Sequence, residues 1–401
     1  MNIVKWRVLF YLFEFFSSTS FSRGIFILFL LHKGFSNQQI SMLQVIFYLS
    51  YSFLSIPIGM LADKYGYKLS MLISLALLSF NSLVQIYAHE LIIFSLVFAI
   101  QGVSFACLAS CSQSFIFTKL KDENKLSEHV NLLGRLRAVS AISLGISMWV
   151  GGILQSKSWG IVFFAEILCM VLSVTIMAVI QDVNIFSYSD KSEKLYLKNI
   201  YVDIVKFWFR KEKIPFAIIV LSIAFLGAIE TPYFIFAQEL FQWYKLSISD
   251  IATLFAFIQV SAGILTILAG KISRRFSFKQ IILVSTILVS LISGLNYYPF
   301  VILAIILFLI NNIICEIVKI IFNDVVQRQL PDKIRASATG LIFFIESIFL
   351  SLGYMFVGYL FDVVSPNKAI AALSFIGMIS FILAYAYFII ERKFCYKNAF
   401  I

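Results

Sequence analysis

Long apolar runs separated by short polar loops recur twelve times along the chain. They lie near residues 6–31, 37–62, 68–88, 90–117, 131–155, 160–180, 214–240, 249–270, 279–298, 300–327, 336–361 and 367–390. A helix needs about 20 apolar residues to cross the hydrocarbon core of a bilayer, so the pattern predicts an all-α membrane protein with twelve transmembrane helices. The first run is too long for a removable signal peptide and lacks a small-residue cleavage site. One polar interruption is long. Residues 181–213 carry twelve charged side chains, and Ile200, Ile204, Val205, Phe207 and Trp208 fall near helical spacing within them. That spacing predicts an amphipathic helix on the membrane surface, with a solvated linker as the alternative. The chain thus divides into 1–180, a linker at 181–213, and 214–401, with no room for a soluble catalytic domain.

The two halves repeat each other. Ser36-Asn-Gln-Gln-Ile40 precedes Gly59-Met-Leu-Ala-Asp-Lys-Tyr-Gly-Tyr-Lys68. At a constant offset of 211, Ser247-Ile-Ser-Asp-Ile251 precedes Gly270-Lys-Ile-Ser-Arg-Arg-Phe-Ser-Phe-Lys279. Each copy opens on a helix-start signal, a serine followed three residues later by Gln or Asp, which can satisfy free backbone amides. Internal repeats of long apolar segments are the mark of secondary transporters.

Composition agrees with a lipid solvent: 61% of the 401 residues are hydrophobic and 13% charged. The net charge of +11 is a matter of topology rather than of nucleic acid. With the N-terminus in the cytoplasm, 26 of the 32 Lys and Arg fall in the termini and the even-numbered loops. Four (Lys33, Lys157, Lys245, Lys368) fall outside, and Arg23 and Lys319 lie within helices. The positive-inside rule then places both termini in the cytoplasm of a cell (inner or plasma) membrane protein. No cofactor or metal is expected. The five cysteines, Cys107, Cys111, Cys169, Cys315 and Cys395, have no metal or redox spacing and read as packing residues. His32, His89 and His129 read as loop or helix-end residues, and no hydrolase or phosphate-loop motif occurs. An enzyme is not expected.

Two six-helix halves joined by a basic linker resemble the major facilitator superfamily. The family's loop between the second and third helices, Gly-x-Leu-x-Asp-(Lys/Arg)-x-Gly-(Arg/Lys)-(Arg/Lys), is matched by Gly59, Leu61, Asp63, Lys64, Gly66 and Lys68, with Tyr67 departing from it. In the second copy Gly270 and Lys279 remain, while Arg274 and Ser277 stand in place of Asp63 and Gly66. A weaker echo pairs Met148-Trp-Val-Gly151 with Met355-Phe-Val-Gly358. The resemblance implies that Asp63 latches one half against the other near the start of the eleventh helix, here Ala336-Ser337-Ala338-Thr339. It also implies that helices 1, 4, 7 and 10 line a central cavity.

Ionisable groups at bilayer depth cost at least roughly 2.5–3.5 kcal/mol each on insertion scales, so they face a cavity or a partner. Seven occur: Glu14, Arg23, Glu166, Glu230, Glu316, Lys319 and Glu346. Five lie on the implied cavity helices, Glu14 and Arg23 on the first, Glu230 on the seventh, Glu316 and Lys319 on the tenth. Glu316 and Lys319 are three apart and can pair on one face, and a carboxylate that gains or loses a cationic neighbour can load and release a proton. Glu230, two residues before Pro232, is the first candidate for a substrate or proton contact. Phe234 and Phe236 beside it are candidates for an aromatic pocket. Glu346 divides between gate and packing, and Glu166 reads as structural. The acidic excess and the many aromatics favour a proton-coupled exporter of a drug or small toxic, peptide-like compound. A glycine echo in the fifth run, Gly145 with Gly151-Gly152, supports the antiporter reading, though the usual Gly-Pro step is missing. The alternatives are an uptake symporter for a sugar, nucleoside or other nutrient, and a non-transporting membrane enzyme or receptor. The expected partners are a small-molecule substrate, protons and the lipid bilayer, and a monomer is expected.

Overall fold

A computed structural model describes residues 3–182, 214–265, 267–329 and 335–398. The predicted amphipathic helix at 197–209 lies outside the described residues. Among those described, every element is helical. The first half holds α1 (Ile3–Ser17), a 3-10 turn (Arg23–Ile25), α2 (Phe26–His32), α3 (Asn37–Tyr65), α4 (Tyr67–Tyr87), α5 (Leu91–Asp122), α6 (His129–Gln155) and α7 (Trp159–Val179). The second holds α8 (Ile214–Trp243), α9 (Ile248–Leu265), α10 (Ile267–Arg275), α11 (Phe278–Leu295), α12 (Val301–Gln329), α13 (Arg335–Val363) and α14 (Pro366–Asn398). Nine of these, α4 to α8 and α11 to α14, are long and apolar enough to cross a membrane. The first apolar run departs from expectation. It is two helices, not one, parted by a non-helical stretch at 18–22.

The helices cluster into two compact units. One contains α1 to α7 together with Phe241–Gly263; the other contains α8 up to Leu240 and α10 to α14. In the first unit Trp6, Phe10, Phe13, Met71, Leu75, Cys107, Cys111 and Phe115 form a buried core, so these two cysteines pack as their spacing implies. The start of α1 is tied to the segment after α5: Trp6 donates to Glu123 Oε1 at 2.5 Å and Arg7 to Glu128 at 2.6 Å. In the second unit α8, α11 and α14 meet through small residues. Ser222 and Ser380 exchange bonds with each other's carbonyls at 2.8 and 2.7 Å, and Ser290 donates to Ser374 O at 2.9 Å. Such small-residue contacts let helices approach where apolar burial gives no drive.

The repeated helix starts take the expected forms. Ser36 and Gln39 make a reciprocal capping box, and Ser247 accepts from the amide of Asp250. A second reciprocal box, Ser277 with Gln280, opens α11.

Two lysines close helix ends. Lys33 donates to the carbonyls of Ile86 and Ala88, at the end of α4, and Lys68 to those of Ala178 and Ile180, at the end of α7. A cation at a helix C-terminus satisfies orphan carbonyls and the negative end of the macrodipole. Burial holds the Lys33 ammonium below its ordinary pKa.

Candidate functional site

In the second unit, Pro232 sits inside α8. Proline has no amide hydrogen to give the carbonyl four residues back, and its ring crowds that carbonyl. That carbonyl belongs to Ala228, and it comes up against Gly353 of α13, where a Cβ would overlap it. A weakened helix and a close glycine thus frame Glu230, which is 6% exposed. Its carboxylate takes Lys319 Nζ of α12 at 2.6 Å on one oxygen and 2.8 Å on the other. Glu316, one turn earlier on α12, reaches the same ammonium at 3.5 Å. Glu346 of α13 is half-buried. The side chains of Glu316 and Lys319 keep 39% and 42% of their surface open, so the buried carboxylate is paired with a partly exposed lysine.

The expected Glu316–Lys319 pair is present, but it is the longer of two bonds. The shorter one joins Lys319 to Glu230, 89 residues away in sequence, which helical spacing cannot foresee. Phe236 is fully buried and its ring contacts Phe361 and Tyr354, which is core packing. Phe234 contacts Phe308. Asn311, two turns before Lys319 on α12, is fully buried, and neither its oxygen nor its nitrogen has a hydrogen-bond partner among the described residues.

In the first unit, Glu14 lies one turn before the break in the first run and accepts from Ser18 at 3.5 Å. Arg23, exposed, opens the 3-10 turn beyond it. Side chains serve the broken backbone. Ser143 of α6 donates to Phe15 O at 2.5 Å, and the Ser20 amide donates to Ser147, one turn further on α6, at 3.0 Å. Glu166 of α7, 7% exposed, accepts from the Ser22 amide at 2.8 Å, the Ser22 hydroxyl at 2.7 Å and the Ser20 hydroxyl at 3.3 Å. Its second oxygen takes Ser82 of α4 at 3.5 Å. On α6 a Cβ at Gly151 would collide with the Phe21 carbonyl, and one at Gly152 with Ala252 of α9. Of the glycine echo in the fifth run, Gly151 therefore makes room for the broken stretch, while Gly145 and Gly152 make room for α9. Sequence reasoning misses Ser143, Ser147 and Ser82. The signal that could have pointed to them is the five Ser or Thr among residues 17–22, since hydroxyls compete with helical backbone bonds.

Of the loop residues, Gly66 ends α3 with φ +107, a conformation that favours glycine. Lys64 lies over the Tyr65 ring at 5.0 Å and Lys68 caps α7 as above. Gly59 and Asp63 fall within α3, and the Asp63 side chain is outside the described set.

A family model described as the Major Facilitator Superfamily matches residues 8–354. The chain belongs to that superfamily of transporters. Solved structures agree on the fold. The nucleoside transporter NupG superposes with a TM-score of 0.77 at 16% identity, covering 97% of this chain and 98% of that one. A bacterial homolog of the human lysosomal transporter Spinster, inward-facing and unoccupied, gives 0.75 at 16% identity over 96% and 95%. A D-xylose-proton symporter gives 0.68 at 13% identity over 96% of each chain. No curated protein matches the sequence.

Proposed function

We propose that this transporter is driven by the proton gradient and exports a drug or small toxic, peptide-like compound, with Glu230, Lys319 and Glu316 as its coupling and substrate site. The observation that supports the reading is Lys319, which neutralises Glu230 while Glu316 competes for the same charge. Two carboxylates share one cation. A proton or a cationic group on the substrate can therefore displace Lys319 from a carboxylate, and movement of α12 against α8 would exchange one for the other. Substrate and proton then alternate at one group, which is what an exchanger requires. Glu14 and Arg23 are the corresponding candidates in the first half, and the loop of Gly59, Asp63, Lys64, Gly66 and Lys68 would act as a gate. The setting is a cell membrane, with both termini cytoplasmic, halves at 1–180 and 214–401, and a monomeric unit.

Cells expressing or lacking the protein, grown across a panel of toxic compounds, provide the test. The exporter reading expects raised tolerance to at least one compound, lost in Glu230→Gln at equal expression. Tolerance unchanged or lowered across the panel, with faster uptake of a nucleoside or sugar, would reverse the direction of transport.

A further inference from the structure

The break in the first run holds a second charged centre that the proposed coupling site does not use. Glu166 is buried, and the described residues give it no ion pair; every group that binds it is a neutral hydroxyl or amide. An unpaired carboxylate removed from water carries a penalty of several kcal/mol. The four bonds are also uneven. One oxygen takes three donors at 2.7–3.3 Å, and the other takes only Ser82 at 3.5 Å. Beside it the backbone is open. Within 18–22 the main-chain bonds formed use the carbonyls of Glu14, Phe16 and Ser22 as acceptors, leaving those of Ser18, Thr19 and Ser20 without a donor among the described residues. One turn beyond Ser82 on α4, Gln85 is 3% exposed and its side-chain oxygen has no partner among the described residues.

A single carboxylate, serine hydroxyls and carbonyls freed by an unwound helix form the oxygen-only donor set that hard cations take. Unwound carbonyls within transmembrane helices serve this end in transporters generally. One negative charge matches a monovalent ion rather than a divalent one. We propose that the break between α1 and α2 binds Na+, held by Glu166, Ser22 and Ser82 with carbonyls of residues 18–20. The ion supplies the missing countercharge and fixes the angle between the two half-helices, and so the position of Glu14.

The test is thermal unfolding of the full-length chain in detergent micelles at constant ionic strength in NaCl, KCl or choline chloride. Only Na+ should raise Tm, and the rise should saturate. Ser82→Ala should increase the Na+ concentration that gives half the shift by about tenfold, equal to about 1.4 kcal/mol. Glu166→Gln, which keeps an acceptor for the Ser22 amide, should abolish the shift. If Glu166→Gln does not fold, the Ser82→Ala titration decides: an unchanged half-point overturns the site. Equal Tm in the three salts overturns it as well, and so does a Na+ response that survives in Glu166→Gln. Stabilisation by acid in choline chloride, lost in Glu166→Gln, would assign the carboxylate to a proton instead. None of these readouts requires transport, so they stand or fall apart from the coupling site.

Discussion

At position 66 and its counterpart 277, one loop is built by two residue types. Gly66 adopts φ +107 between α3 and α4, whereas Ser277 sits at φ −69 and caps α11 through Gln280. The departure of the second copy from the family pattern is therefore a change of local geometry, from a glycine hinge to a serine cap. Gly66→Ala should lower stability by about 1–3 kcal/mol, the cost of forcing a side chain into that region. Ser277→Ala should cost about 1 kcal/mol and Ser277→Gly only a few tenths. Thermal unfolding of the three variants checks both claims, and equal losses for Ala and Gly at 277 would deny the cap. The charged site follows different rules. Lys319→Met leaves the buried Glu230 without its cation and should lower stability, while adding Glu230→Gln should restore much of the loss. Folded yield and Tm of the single and double variants measure the coupling. Spacing on one helix reveals Glu316 with Lys319, but the stronger partner arrives from another helix, and no local pattern encodes that.

At the scale of elements, the apolar runs were legible because bilayer thickness imposes one length on every crossing. The interruption of the first run was not, because a five-residue gap of mostly small hydroxyl residues still leaves the run apolar enough to read as one crossing. Its cause lies in α6 and α7, through Ser143, Ser147, Gly151 and Glu166. Gly151→Ala should push the Phe21 carbonyl away and cost about 1–3 kcal/mol as overpacking. Gly134, with open space around it, offers a control on the same helix: Gly134→Ala should leave stability unchanged or slightly raised. Matching Tm losses at the two positions would show that the close contact is not what makes position 151 sensitive. Lys68 likewise gains a role that its motif does not reveal. Lys68→Met should loosen the end of α7 without altering the loop's length, read as faster amide exchange in the last turn.

For the whole molecule, repeat, run length and loop chemistry made the superfamily readable, whereas direction and substrate depend on a few polar groups set by tertiary contact. The proposed topology rests on loop charge, and it is open to direct labelling. In a background with the native cysteines replaced, cysteine at Lys157 or Lys368 should react with an impermeant thiol reagent added outside intact cells. Cysteine within 181–213 should react only after permeabilisation, and the opposite pattern would invert the protein in its membrane.

The gap in the first run also bears on the order of synthesis. Ribosomes deliver residues 18–22 more than a hundred residues before Ser143, Ser147 and Glu166 exist. Hydrocarbon offers the unwound amides and carbonyls no substitute, at several kcal/mol for each unsatisfied group. A nascent chain that ends before α6 therefore has its lowest energy with residues 3–32 as one continuous helix. The gap should therefore open only when the fifth and sixth runs arrive. A chain truncated before α6 should thus protect the amides of 18–22 from exchange better than the full-length protein does.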